Sequence, residues 1–146
     1  MKYLHTMVRV RDLEESLKFY RDALGLGVVS RFDVPAGRFS LVYLAAASDA
    51  ESAAEHRSPT IELTYNWDDE TFSEGRNFGH IAFEVDDIYA TCQRLMDCRI
   101  TLSRPPRDGK MAFIRSPDNI SIELLQARAP LEPQEPWVSM PNVGSW

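Results

Sequence analysis

The chain has 146 residues, 44% hydrophobic and 26% charged, with a formal net charge of −6. That is ordinary globular composition, and a chain of this size buries roughly two thirds of its surface without staples. The negative charge argues against nucleic acid or an anionic membrane as a generic partner, no apolar run reaches the roughly 18 residues of a membrane span, and two cysteines, Cys92 and Cys98, are too few for a disulfide framework.

The N-terminal stretch "LHTMVRV", residues 4–10, alternates polar and apolar side chains and predicts a strand. It lacks the long apolar run of a signal peptide, so a soluble, cytoplasmic protein is expected. "RDLEESLKFYRDALG" follows with Asp12 as N-cap, Glu15 three residues later in a box-like pattern, Leu13, Leu17, Tyr20 and Leu24 at helical spacing, and Gly25 as a stop. "GVVSRFDV", "FSLVYLAA" and "TIELTYNW" predict three strands, with "ASDAESAAEHRSP" between the last two a polar loop or short helix.

The same order then recurs. "HIAFEV" from His80 predicts a strand, and Asp87 caps "IYATCQRLMDCR", where Ile88, Cys92 and Leu95 keep helical spacing. "ITLSRP", "MAFIRS" and "ISIELL" predict three more strands, with a tight polar loop "PRDGK" after the first and a turn at Ser116-Pro117-Asp118-Asn119 between the last two. His5 and Asp12 are seven residues apart, as are His80 and Asp87, and "IEL" closes both halves at 61–63 and 122–124. The chain therefore reads as two pseudo-symmetric modules, each strand–helix–three strands, at about 1–67 and 76–127 of a single domain 1–127. Residues 128–146 hold four of the nine prolines and two of the three tryptophans, Trp137 and Trp146, and read as a Pro-rich C-terminal arm.

Each module opens on a His and closes on a Glu. In "TIELTYNW" the alternation puts Glu62 and Asn66 on one face, which alone would read as a wet outer face. Packing gives no reason to repeat a His and a Glu at matching points, whereas a shared metal does. His5, Glu62, His80 and Glu123 form a mixed nitrogen and oxygen set suited to a divalent first-row ion with room for water or substrate oxygens. Arg9 shares a face with His5 and Met7, four residues along, as Asn66 does with Glu62. The offset, roughly 13 Å at strand rise, suits an extended polar substrate with its tail away from the metal. Arg76 precedes His80 by four residues and Lys110 sits in the short loop. These cations would make a local anion site on an acidic protein, or in the case of Lys110 a surface charge.

"LHTMVRVRDLEESLKFYRDALGL", "IELTYNW", "GHIAFEVDD" and "SPDNISIELL" together resemble the glyoxalase I family of the vicinal-oxygen-chelate superfamily, over about residues 3–127. The resemblance implies an α+β fold of two βαβββ modules, paired in a homodimer with its sites at the subunit interface. It implies a divalent metal, Ni(2+) ahead of Co(2+) with Zn(2+) the alternative, held by His5, Glu62, His80 and Glu123. It makes Glu123 the principal catalytic base and Glu62 its counterpart across the substrate. It assigns Arg9, Asn66, Arg76, His80, Lys110 and Met111 to the glutathione cosubstrate, the last two in a closing loop that is shorter here than in many relatives. The implied reaction is that of a lactoylglutathione lyase, isomerising the methylglyoxal–glutathione hemithioacetal to S-lactoylglutathione through an enediolate. Other readings are an extradiol dioxygenase, which would leave Glu62 without a role, an epimerase of CoA esters, and a metal-free binding protein on the same fold.

Overall fold

The computed structural model describes residues 3–56, 58–73 and 78–145. The elements run β1 (His5–Arg9), α1 (Leu13–Leu17), β2 (Gly27–Val34), β3 (Phe39–Ala45), α2 (Ala50–His56) and β4 (Thr60–Asn66), then β5 (His80–Val85), α3 (Ile88–Asp97), β6 (Leu102–Arg104), β7 (Met111–Arg115) and β8 (Ser121–Gln126). They form two compact units, Met1–Glu74 and Gly75–Trp146. Each unit holds one four-stranded sheet, ordered β1-β4-β3-β2 in the first and β5-β8-β7-β6 in the second. In both, the first strand pairs parallel with the last and the remaining pairs are antiparallel. The fold is α+β and contains the two βαβββ modules that the repeat predicts.

In the first unit the alternation sorts side chains onto two faces. Val8, Val42, Leu44, Ile61 and Leu63 are buried, with Leu44 and Leu63 fully so, while His5, Met7 and Arg9 stay exposed on the other side of β1. Asp12 caps α1, its Oδ1 accepting the Glu15 N–H at 2.9 Å. The helix then departs from the expected spacing. From Lys18 to Ala23 it widens into a π-helix, with Leu24 N–H donating to Phe19 O at 2.9 Å. The i→i+5 pattern puts an extra residue in the turn. The core face therefore moves to Phe19, Tyr20, Ala23 and Leu26, and Leu24 is only half-buried. Gly25, at φ +85°, ends the element in the left-handed region. The polar stretch before β4 resolves into a short 3-10 turn, Ala47–Asp49, and then α2.

The second unit repeats the scheme around Ile88, Cys92, Leu95, Ile114, Ile122 and Leu124, all essentially sealed from water. Asp87 caps α3 through the Ala90 N–H at 2.9 Å. Gln126 reaches across from β8, accepting the Ile88 N–H at 2.8 Å and donating to Asp86 O at 2.7 Å. The strand expected over "ITLSRP" shortens to Leu102–Arg104 because Pro105 and Pro106 have no N–H to give a ladder. Asn119 takes φ +66° in the turn before β8, which Asn tolerates.

The C-terminal arm packs onto this second unit. Trp137 is 4% exposed, and its ring stacks on Tyr89 at 5.7 Å and 12°. Leu131 N–H donates to Gly109 O, Val143 N–H to Ser103 O, and Arg115 Nε to Ser145 O. The Val143 bond covers part of the open side of the short β6 edge. Gly109 lies so close beneath the arm that a Cβ would meet Leu131 O at 2.0 Å, and its φ is +63°. Trp146 lies outside the described residues. Trp137→Ala should cost about 3–5 kcal/mol in urea unfolding, as large-to-small core changes do. A loss near zero would mean that the arm is not part of the folded unit.

Candidate active site

The parallel pairing in each sheet builds the same small arrangement twice. In the first unit His5 stands opposite Thr60 and Met7 opposite Glu62, so Glu62 lies two residues further along on the same face as His5. Their side chains meet, with His5 Nε2 3.1 Å from Glu62 Oε2. In the second unit His80 stands opposite Ser121 and Ala82 opposite Glu123. His80 Nε2 is again 3.1 Å from Glu123 Oε2. In both pairs the carboxylate is withdrawn, its side chain 12% exposed for Glu62 and 14% for Glu123, while the imidazoles remain 37% and 44% exposed.

An aromatic ring completes each pair. Tyr43, opposite Glu62 on β3, meets His5 edge-on at 5.8 Å. Phe113, opposite Glu123 on β7, meets His80 edge-on at 5.5 Å. Sequence reasoning missed both rings. Their signal was an aromatic within an apolar stretch, "VYL" and "AFI", on the strand before each "IEL". Beside each pair lies a buried hydroxyl, Thr60 Oγ1 or Ser121 Oγ, with no hydrogen-bond partner among the described residues. Thr64 Oγ1 donates to the second oxygen of Glu62 at 3.2 Å. A cavity of about 190 Å³ next to the first pair is lined by Val29, Ser30, Phe32, Tyr43 and Thr60.

These residues fit a divalent ion. Two donors held about 2.1 Å from one ion at right angles lie about 3 Å apart, which is the separation found in both pairs, and imidazole with carboxylate is a donor chemistry such ions accept. Thr64, donating to the second oxygen of Glu62, supplies the kind of outer hydrogen bond that orients a ligand. Among the described residues no three His, Cys, Asp or Glu gather to hold an ion by themselves; each unit holds one His–Glu pair.

The remaining predicted residues divide. Arg9 and Asn66 come together in the first unit through Glu70, with Arg9 Nε 4.0 Å from Glu70 Oε1 and Asn66 Nδ2 donating to Glu70 Oε2 at 2.5 Å. Arg76 lies outside the described residues. Lys110 is turned to the backbone, its Nζ donating to Gln126 O at 2.5 Å and to Arg128 O at 3.1 Å. Met111 opens β7, half-buried. Its N–H and that of Lys110 both donate to Asp108 Oδ1, and Arg104 donates to Asp108 Oδ2 at 2.7 Å. Neither cysteine pairs, and burial pushes the Cys92 thiol up to about 12, which leaves it inert at neutral pH.

A model of the glyoxalase/bleomycin resistance protein/dioxygenase superfamily matches residues 2–124. The chain belongs to this superfamily. The lactoylglutathione lyase of Haemophilus influenzae is 40% identical over 134 residues, covering 88% of this chain and 95% of that one. That of Neisseria meningitidis serogroup A is 39% identical over 134 residues, covering 88% and 93%. Among solved structures, the trypanothione-dependent glyoxalase I of Leishmania major is 35% identical with a TM-score of 0.77, covering 86% of each chain.

Asp108 holds the loop that carries Lys110, and pH should reveal it. Burial favours its neutral form, but the Arg104 side chain and the two loop amides outweigh this and draw the carboxyl down from 3.8 to about 2. A group lowered on folding stabilises the fold above its unfolded value, and that contribution is lost as pH falls through the folded value. Asp108→Asn should therefore lower the melting temperature at pH 6, with the gap to the unaltered protein closing between about pH 4 and pH 2. A gap independent of pH would show that the carboxylate's charge is not what holds the loop.

Proposed function

We propose that the chain is a lactoylglutathione lyase, isomerising the hemithioacetal of methylglyoxal and glutathione to S-lactoylglutathione, and that it works as a metal-dependent homodimer in the cytoplasm. The observation that carries this reading is the His–Glu pair built twice, beside matching aromatic rings, on the sheet faces turned away from Leu63 and Leu124. Its support from relatives is the similarity to proteins named for this activity. No helix among the described residues is long and apolar enough to cross a membrane.

His5, Glu62, His80 and Glu123 would hold the ion together, because two donors from one unit are too few for a tight site. Sites at a subunit interface would bring complete sets together in a two-fold dimer. Met7 and Phe32, 40% and 47% exposed on the open side of the first sheet, are apolar surface that such an assembly would cover. Nickel is the favoured ion, cobalt a substitute and zinc the alternative. When bound, a divalent ion supplies Lewis acidity that eases negative charge onto two neighbouring substrate oxygens.

The chain's own groups carry the proton. Glu123 takes the proton from C1 of the hemithioacetal. The C–H electron pair passes into the C1–C2 bond of an enediolate, and the proton returns to C2, so oxidation of C1 balances reduction of C2 and no redox partner is consumed. Glu62, its counterpart in the other module, serves the opposite face of the planar enediolate. His5 and His80 keep the carboxylates in place. Arg9 and Asn66 hold the glutathione part, and on the resemblance Arg76, His80 and Met111 join them. Lys110 would have to leave two backbone carbonyls to do the same.

The test follows thioester absorbance when methylglyoxal and glutathione meet the metal-stripped protein reloaded with nickel, cobalt or zinc. Activity should return with nickel, and Glu123→Gln should lower kcat by about 10²–10⁴-fold while ion binding is measured separately. Turnover with zinc alone would overturn the choice of ion. Absence of turnover with every ion would overturn the reaction.

A further inference from the structure

Glu70 lies against both groups that the proposed function gives to the cosubstrate, and a carboxylate there calls for a reason. Asn66 Nδ2 donates to one of its oxygens and Arg9 Nε approaches the other. Its place is fixed from both sides. Just before it, Trp67 N–H donates to Arg38 O at 2.9 Å and Trp67 Nε1 to Ser40 Oγ at 2.9 Å. Arg38 also grips the Asp68 carboxylate through Nε and NH2, at 2.6–3.1 Å. Just after it, the Phe72 ring lies beneath the Arg11 guanidinium, 5.3 Å from centroid to carbon. The strand end is pinned so that Glu70 turns back over the face carrying Arg9 and Asn66.

For a ligand that is simply an anion this arrangement is poor. Glu70 would repel the incoming carboxylate and compete with it for the same donors. A ligand that brings its own cation next to its carboxylate removes the conflict. The two ends of glutathione differ in this respect. The glycyl end carries a carboxylate alone, and the γ-glutamyl end carries a carboxylate and an ammonium on one carbon.

We infer that Arg9, Asn66 and Glu70 form a reader for a zwitterionic α-amino-acid head, with Glu70 accepting N–H from the ammonium, Arg9 donating to the carboxylate and Asn66 bridging them. Glu70 is then a specificity-determining residue: it selects the γ-glutamyl end for this face and rejects thiols whose amine is blocked. The inference rests on the proposed function for the identity of its ligand.

The test measures binding of S-hexylglutathione and of its N-acetyl derivative to the full chain by calorimetry, in the unaltered protein and in Glu70→Gln and Glu70→Lys, alongside turnover of the hemithioacetal. The unaltered protein should prefer the free amine by about tenfold to a hundredfold, the range of one charge-assisted hydrogen bond. Glu70→Gln should reduce that preference to about threefold or less, and Glu70→Lys should reverse it in favour of the N-acetyl form. A merely structural role for Glu70 would weaken both ligands together and keep their ratio, which would overturn the inference, as would an unaltered protein with no preference despite turnover. If the unaltered protein neither binds S-hexylglutathione nor turns over the hemithioacetal, the proposed function itself fails.

Discussion

The parallel pairing of the first and last strand in each unit is the constraint on which the site depends. Strand side chains alternate faces, so a His and a Glu on neighbouring strands meet only if the register keeps them an even number of residues apart. The observed registers do this twice, with Met7 opposite Glu62 and Ala82 opposite Glu123. A slip of one residue would turn each carboxylate into the face occupied by Leu63 or Leu124, where an unpaired charge costs several kcal/mol. The core therefore enforces the register that the site needs. Parallel pairing also requires a crossover, which the helix and the intervening strands supply. The helix in each module packs the core face and leaves the other face of the sheet to the pair.

Some features of the face that carries each pair are duplicated and others are not. The His, the Glu, the edge-on ring and the orphaned hydroxyl all recur at matching register positions. The outer residues do not. Four residues beyond His5 stands Arg9, but four beyond His80 stands Glu84. Four beyond Glu62 stands Asn66, but four beyond Glu123 stands Ala127. Among the described residues the Arg9–Glu70–Asn66 cluster belongs to the first unit, and the arm with Trp137 to the second. A substrate with one reacting centre and one distinctive end matches that asymmetry.

Much of this was legible in the sequence because it is carried by short-range rules. Both Asp caps, the strand alternation, the stop at Gly25 and the repeat itself are local, and the repeat tied His to Glu across more than 40 residues. What escaped depends on long-range or cooperative geometry. The π-widening after Leu17 changed which residues face the core, and no propensity marks it. Tyr43 and Phe113 gained their place only through register. Lys110 read as a free loop cation, yet its reach to two carbonyls of the chain leaving β8 is set by how the loop and the arm interlock around Gly109. Glu70 follows Asp68 and Asp69 and carried no signal of its own in the sequence; the Trp67 and Arg38 contacts turn it back over the sheet.

The balance of burial within each pair bears on what the pair is for. A pair built only to hold strands together would gain most from being wholly buried or wholly wet. Here the carboxylate is drawn in and the imidazole left reachable, so the desolvation cost falls on the anion and the open side faces outward. One partly exposed imidazole offsets that cost incompletely, and Thr64 adds a single hydroxyl in the first unit. A cation arriving from the open side meets two donors already at the spacing of neighbouring ligands, and relieves an anion that the fold has half removed from water. Exposure of the imidazole is therefore what separates this arrangement from a buried ion pair, and it recurs in both units.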